Sequence, residues 1–140
     1  MNDKNVLPLR PEAAGRVLLA GNYAEFFTTG RKAYPGAISY WYGSPQSIEE
    51  LRYYARNANT VIFCLSDRAG SRILQQLRPL GKRIIVFSVL SPVYLEEASW
   101  ADGAVAVYSY APESFIAGFS AILGRIPGEG SLPFTLNGGH

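Results

Sequence analysis

The sequence predicts an α/β protein: a three-layer αβα sandwich on a mostly parallel sheet of five or six strands, with helices on both faces. Three observations predict it. Five short apolar runs recur along the chain, each ending in turn residues. The runs are continuous in apolar character rather than alternating, the pattern of strands buried on both faces. Amphipathic stretches with helix-start chemistry separate most of them.

Taken in order, Arg16–Ala20 is apolar, stops at Gly21 and reads as the first strand. Residues 22–34 read as a helix, although Thr28, Thr29 and Gly30 are weak helix formers. Gly36–Tyr42 is aromatic and reads as the second strand. Ser44-Pro45 then offers a cap with proline in the first turn, and Ser47 with Glu50 fits a capping box. Ile48, Leu51, Ala55 and Ala58 follow at helical spacing. Thr60–Leu65 reads as the third strand, and Asp67 caps a helix whose apolar stripe is Ile73, Leu74 and Leu77. Arg83–Phe87 is the fourth strand, and Pro92 opens a short segment carrying Leu95 and Ala98. Gly103–Tyr108 is the fifth strand. Pro112 and Glu113 open the last helix, with Phe115, Ile116, Phe119, Ile122 and Leu123 as its apolar residues and Gly124 as its stop. Ser131–Leu136 adds a strand that Pro133 confines to the sheet edge. Residues 1–140 read as a single domain, without low-complexity segments or longer repeats.

Composition bounds the function. The chain of 140 residues is 48% hydrophobic and 17% charged, a globular composition. Its 13 basic and 11 acidic residues leave a formal charge of +2, which points to no nucleic acid or anionic membrane as partner. One cysteine, Cys64, excludes an intrachain disulfide. The N-terminal stretch MNDKNVLPLRPE lacks the apolar core of a signal peptide, and no apolar run reaches the roughly 20 residues of a membrane span. Compartment is left open.

Candidate chemistry is sparse. His140 at the C-terminus is the single histidine, so neither a zinc-type ligand set nor a Ser-His-Asp or Cys-His system can be built within the chain. Cys64, in an apolar strand, reads as a core residue. No G-x-G-x-x-G or P-loop pattern occurs, and no cofactor is expected. Glu49-Glu50 and Glu96-Glu97 are neighbours in sequence, which on a helix point apart and so do not flank one glycosidic bond. A doubly wound sheet places ligands at the carboxyl ends of its strands. The residues there are Asn22, Ser66, Asp67, Arg68, Ser91 and Tyr110, of which Asp67, Arg68, Ser91 and Tyr110 are the candidate ligand-binding set. Tyr40-Trp41-Tyr42 and Tyr53-Tyr54 are aromatic enough to mark an interface or a sugar-stacking face, or to pack in the core.

Three segments together resemble one family. Asn5-Val-Leu-Pro-Leu9 followed by Arg16-Val-Leu-Leu-Ala-Gly21 resembles the entry to the C-terminal domain of family 3 glycoside hydrolases. Gly81–Leu95 is similar to that domain's strand and the S-P-hydrophobic turn after it. Ala117–Leu136, with Gly124 and Gly130-Ser-Leu-Pro-Phe-Thr135, resembles its closing signature, and Ser66-Asp67-Arg68 resembles a D-R pair after a middle strand. The compact length is nearest the two-domain β-N-acetylglucosaminidase type. The resemblance implies an αβα sandwich that packs against a TIM-barrel catalytic domain absent from this chain. In that type the nucleophile and the Asp-His acid/base pair lie on the barrel. In the β-glucosidase type an acid/base glutamate lies near the D-R segment, but no glutamate occurs between Glu50 and Glu96 here. The resemblance therefore implies no catalytic residue in this chain. The alternative is a free-standing small-ligand-binding or oligomerisation module, a possible homo-oligomer.

Overall fold

The computed structural model describes residues 7–42, 48–90 and 98–124, and the backbone of residues 134 and 135. The elements run α1 (Pro11–Ala14), β1 (Val17–Gly21), α2 (Ala24–Ala33), β2 (Ile38–Trp41), α3 (Ile48–Arg56), β3 (Thr60–Leu65), α4 (Arg68–Gln75), a 3-10 turn at Arg78–Leu80, β4 (Arg83–Val89), β5 (Gly103–Val107), α5 (Pro112–Leu123) and β6 (Phe134–Thr135). One six-stranded sheet has the order β2-β1-β3-β4-β5-β6. The first five strands are parallel, and β6 pairs antiparallel to β5 through Val105 opposite Thr135 and Ala106 opposite Phe134.

Alternation along each strand divides the core in two, because successive side chains leave a strand on opposite faces. Leu18, Val61, Phe63, Leu65, Ile84 and Val86 face one side and meet Leu51 and Ala55 of α3 and Leu74 of α4. Leu19, Ile62, Cys64, Ile85, Phe87 and Val105 face the other and meet Phe26 and Phe27 of α2 and Phe115, Phe119 and Ile122 of α5. This is the expected three-layer sandwich. Each fully buried Leu, Val or Phe contributes about 1.5–3 kcal/mol, so two such faces hold the sheet between its helices. Thr60 Oγ1 donates to the Ala14 carbonyl at 2.8 Å, and Asp102 Oδ2 accepts from Ile84 N at 2.8 Å, tying the amino ends of β3 and β4 to the loops beneath them.

Three details differ from the sequence reading. β2 is short and buries only Tyr40, leaving Ile38, Ser39 and Trp41 exposed, because it is the edge strand and one flank has no neighbour. β4 extends two residues further than the apolar run to Phe87, since Ser88 and Val89 still pair with Ala106 and Val107 of β5. Ile116 is 54% exposed and stands outside the apolar stripe of α5. The stripe follows Phe115, Phe119 and Ile122, and one residue on from Phe115 turns about 100° away from it. The helix α2 forms despite its threonines, because Gly30 lets it close on the sheet and on α5. A Cβ there would stand 2.7 Å from Leu19 Cδ1 and 2.9 Å from Phe119 Cζ. The proposed cap at Ser44-Pro45, Ser47 of the capping box, Ser91, the Pro92 segment up to Glu97, Asn5 and Val6 of the opening signature, and residues 125–133 and 136 of the closing signature lie outside the described residues.

Candidate functional site at the carboxyl ends of the strands

The chain winds from β1 outward to β2 and later from β3 outward through β4 to β5. The winding direction thus reverses between β1 and β3, and the loops leaving their carboxyl ends diverge and open a crevice. Asn22 and Tyr23 follow β1, and Ser66 and Asp67 follow β3. Leu90 follows β4 in the left-handed region (φ 74°), a strained setting for a branched residue, held by Leu90 N donating to the Val107 carbonyl at 2.8 Å. Tyr108 and Tyr110 follow β5.

The sequence-predicted residues separate by role. Asp67 is the N-cap of α4: its Oδ1 accepts from Gly70 N at 2.7 Å. Arg68 is exposed in the first turn of that helix. Tyr110 joins a hydroxyl cluster. Its oxygen lies 2.6 Å from the Tyr23 hydroxyl, with the rings 4.6 Å apart and tilted by 40°. The Tyr23 hydroxyl lies 3.4 Å from Ser66 Oγ. Ser66 also lies near Tyr42, whose own hydroxyl donates to the Cys64 carbonyl at 2.8 Å. The hydroxyls of Tyr110, Tyr23 and Ser66 thus cluster at the rim, and that of Tyr42 is tied to the sheet. Asn22 completes the group: its Oδ1 is buried and meets no donor. Tyr23 escaped the sequence reading because its segment reads as helix. Its place two residues after Gly21, at a strand's carboxyl end, was the available signal.

Burial first, and then the Tyr23 hydrogen bond, push the Tyr110 phenol up to about 12. Burial raises Tyr42 further, and burial followed by the nearby Asp67 charge raises the Cys64 thiol. These phenols and the thiol are neutral at pH 7, and in that state they donate and accept hydrogen bonds. Glu49 is engaged with Arg52 at 3.0 Å on the outer face of α3. Among the described residues no group of three or more His, Cys, Asp or Glu is placed to hold a metal ion, and no helix is long and apolar enough to cross a membrane.

Two concavities lie elsewhere. One of about 330 Å³ opens at the amino ends of β1 and β2, between Pro11, Arg16, Tyr34 and Gly36. Another, of about 270 Å³, is a groove between α2 and α5 lined by Thr29, Lys32, Ile116 and Phe119.

No protein-family model matches the chain, and no curated protein matches it. A solved structure does. Over 96% of its length, at 21% identity and a TM-score of 0.74, the chain superimposes on part of a fungal multi-domain GH3 β-N-acetylglucosaminidase, described for its GCN5-related glucosamine N-acetyltransferase region. The match spans 18% of that longer chain. At this identity the likeness establishes a shared α/β fold.

Proposed function

We propose that the 140 residues act as one accessory αβα domain of a multi-domain glycoside hydrolase, of the family 3 β-N-acetylglucosaminidase type, that packs against a separate TIM-barrel catalytic domain. The observation that carries this reading is the superposition of nearly the whole chain on a small part of a multi-domain GH3 enzyme. The ordered sequence resemblance to the family 3 C-terminal domain supports it independently.

The test is hydrolysis of aryl β-N-acetylglucosaminide and aryl β-glucoside by this chain alone and by the chain joined to a family 3 barrel. No turnover is expected from the chain alone, and the joined protein should be more active or more heat-stable than the barrel by itself. Robust turnover by the isolated chain would refute the accessory role, as would a barrel indifferent to its presence. A second reading, self-association, is favoured by edge strand β2, where Ile38 is 49% and Trp41 42% exposed. Sedimentation that stays monomeric across concentration excludes it.

A further inference from the structure

The hydroxyl cluster in the crevice keeps hydrogen-bonding capacity that its own members do not use. Tyr42 gives its proton to the Cys64 carbonyl. Tyr23 lies within reach of both Tyr110 and Ser66 but has one proton to donate. Lone pairs on Tyr110 and Ser66 are left for something else. Asn22, the residue before Tyr23, has its Oδ1 buried without a donor. A buried acceptor left unmatched costs about 1–3 kcal/mol, which makes it a place where an incoming donor gains most. Tyr110 is 41% exposed and Tyr108 54% exposed, so aromatic surface stands at the mouth of this group.

Charge at the same rim selects against one large class of ligand. Helix N-termini attract phosphates when their amides are free. Here each described crossover helix carries carboxylate at that end: Glu25 on α2, Glu49 and Glu50 on α3, Asp67 capping α4, and Glu113 on α5. Asp67 has already taken an amide of α4. On the cationic side, Arg52 is paired with Glu49, and Arg68 stands exposed. A phosphate entering the crevice would meet carboxylates at the helix ends on both sides of it.

We infer that the crevice between β1 and β3, bounded by Asn22, Tyr23, Ser66 and Tyr110, binds a neutral hydroxyl-rich small molecule of the sugar-ring class. A ligand hydroxyl donates to Asn22 Oδ1, others exchange hydrogen bonds with Ser66 and Tyr110, and the Tyr110 ring covers the apolar face of the ligand. This rests on the geometry of the crevice and stands apart from the glycosidase reading, because the test below reads binding and not turnover.

The experiment is an NMR titration of the ¹⁵N-labelled full chain with N-acetylglucosamine, with glucose, and separately with inorganic phosphate and AMP. The expected result is saturable shifts with at least one sugar at the Asn22 side-chain amide and the backbone amides of Tyr23 and Ser66, with none from phosphate or AMP. Asn22→Ala and Tyr110→Ala should each weaken the sugar at least tenfold. Tyr110 is exposed, so its variant keeps the fold and decides the matter even if the Asn22 variant unfolds. Absence of saturable sugar shifts, shifts confined to other residues, or full affinity in Tyr110→Ala would overturn the site. Phosphate or AMP moving the same amides would overturn the ligand class.

Discussion

Gly118 sits where α5 presses on β4, and replacing it by alanine tests how tightly the aromatic layer is packed. A Cβ at this position would stand 2.5 Å from Phe87 Cε2, closer still to Cζ, and 3.2 Å from Val107 Cγ1. The Phe87 ring is held on three sides: by Phe26 at 5.5 Å, by Phe119 at 5.0 Å, and by Phe115 at 5.7 Å in a nearly parallel stack. It is wholly buried. Overpacking of this kind costs about 1–3 kcal/mol. Alanine inside a helix gains about 1 kcal/mol over glycine, so Gly118→Ala should destabilise the protein by about 1 kcal/mol net. In a Phe87→Leu background the collision is lifted. There the same substitution should be neutral or stabilising by up to about 1 kcal/mol, a coupling between the two sites of about 1–3 kcal/mol. The assay is a double-mutant cycle in urea, followed by far-ultraviolet circular dichroism and by Trp41 and Trp100 fluorescence. An equal effect of Gly118→Ala in both backgrounds, or a gain in stability in the wild-type background, would refute the packing argument.

The other predictions concern the carboxyl-end loops. Asp67→Ala should cost about 1 kcal/mol by removing the cap on Gly70 N, whereas Asp67→Asn, which can still accept that hydrogen bond, should cost only a few tenths in the same urea assay. Tyr42→Phe should cost about 1–3 kcal/mol, because it leaves the buried Cys64 carbonyl without its donor while keeping the ring stacked on Phe63 at 5.2 Å. In an ultraviolet titration Tyr110 should ionise near 12, and Tyr23→Phe should move it back toward 10.0, the ordinary value. The sign of the linked stability follows from the raised value. The contribution is fully present below pH 10.0, and it falls between 10.0 and about 12 because the unfolded chain ionises first. Cys64 is buried with its thiol shifted upward, so a disulfide reagent at pH 8 should modify it only as fast as the protein opens.

How much of this was legible in the sequence depends on whether a residue's fate was decided nearby or far along the chain. β3 was readable to the residue, because six consecutive apolar or β-branched positions have no other stable home than a strand covered on both faces. Asp67 was readable as a cap, since its partner amide is three residues away. β2 read as a strand from its apolar and aromatic run, and only the strand order reveals that it has one neighbour. Thr28, Thr29 and Gly30 argued locally against a helix. The opposing term, close approach to Leu19 and Phe119, comes from distant segments. The crevice was half legible. Its position follows from the winding of a parallel sheet, so Asn22, Ser66 and Tyr110 could be placed at one end of it. The bond between Tyr23 and Tyr110 spans 87 residues and leaves no local trace.

The formal charge of +2 hides a division that only the fold makes visible. In a parallel sheet every crossover helix starts at the carboxyl ends of the strands and finishes at the amino ends. Glu25, Glu49, Glu50, Asp67 and Glu113 fall on helix starts, while Arg31, Lys32 and Arg56 fall on helix ends and Arg16 and Lys82 precede strands. Each group complements the helix dipole it sits on, a stabilisation of about 0.3–1 kcal/mol per well-placed charge. The same placement takes the anion-binding capacity away from the rim where a doubly wound sheet ordinarily holds phosphates. Stability of the helices and rejection of anions at the crevice are thus one arrangement of charges. A change that frees a helix start, such as Asp67→Ala, should weaken the fold and raise phosphate affinity together, whereas Asp67→Asn should separate the two, leaving stability nearly intact while phosphate affinity rises.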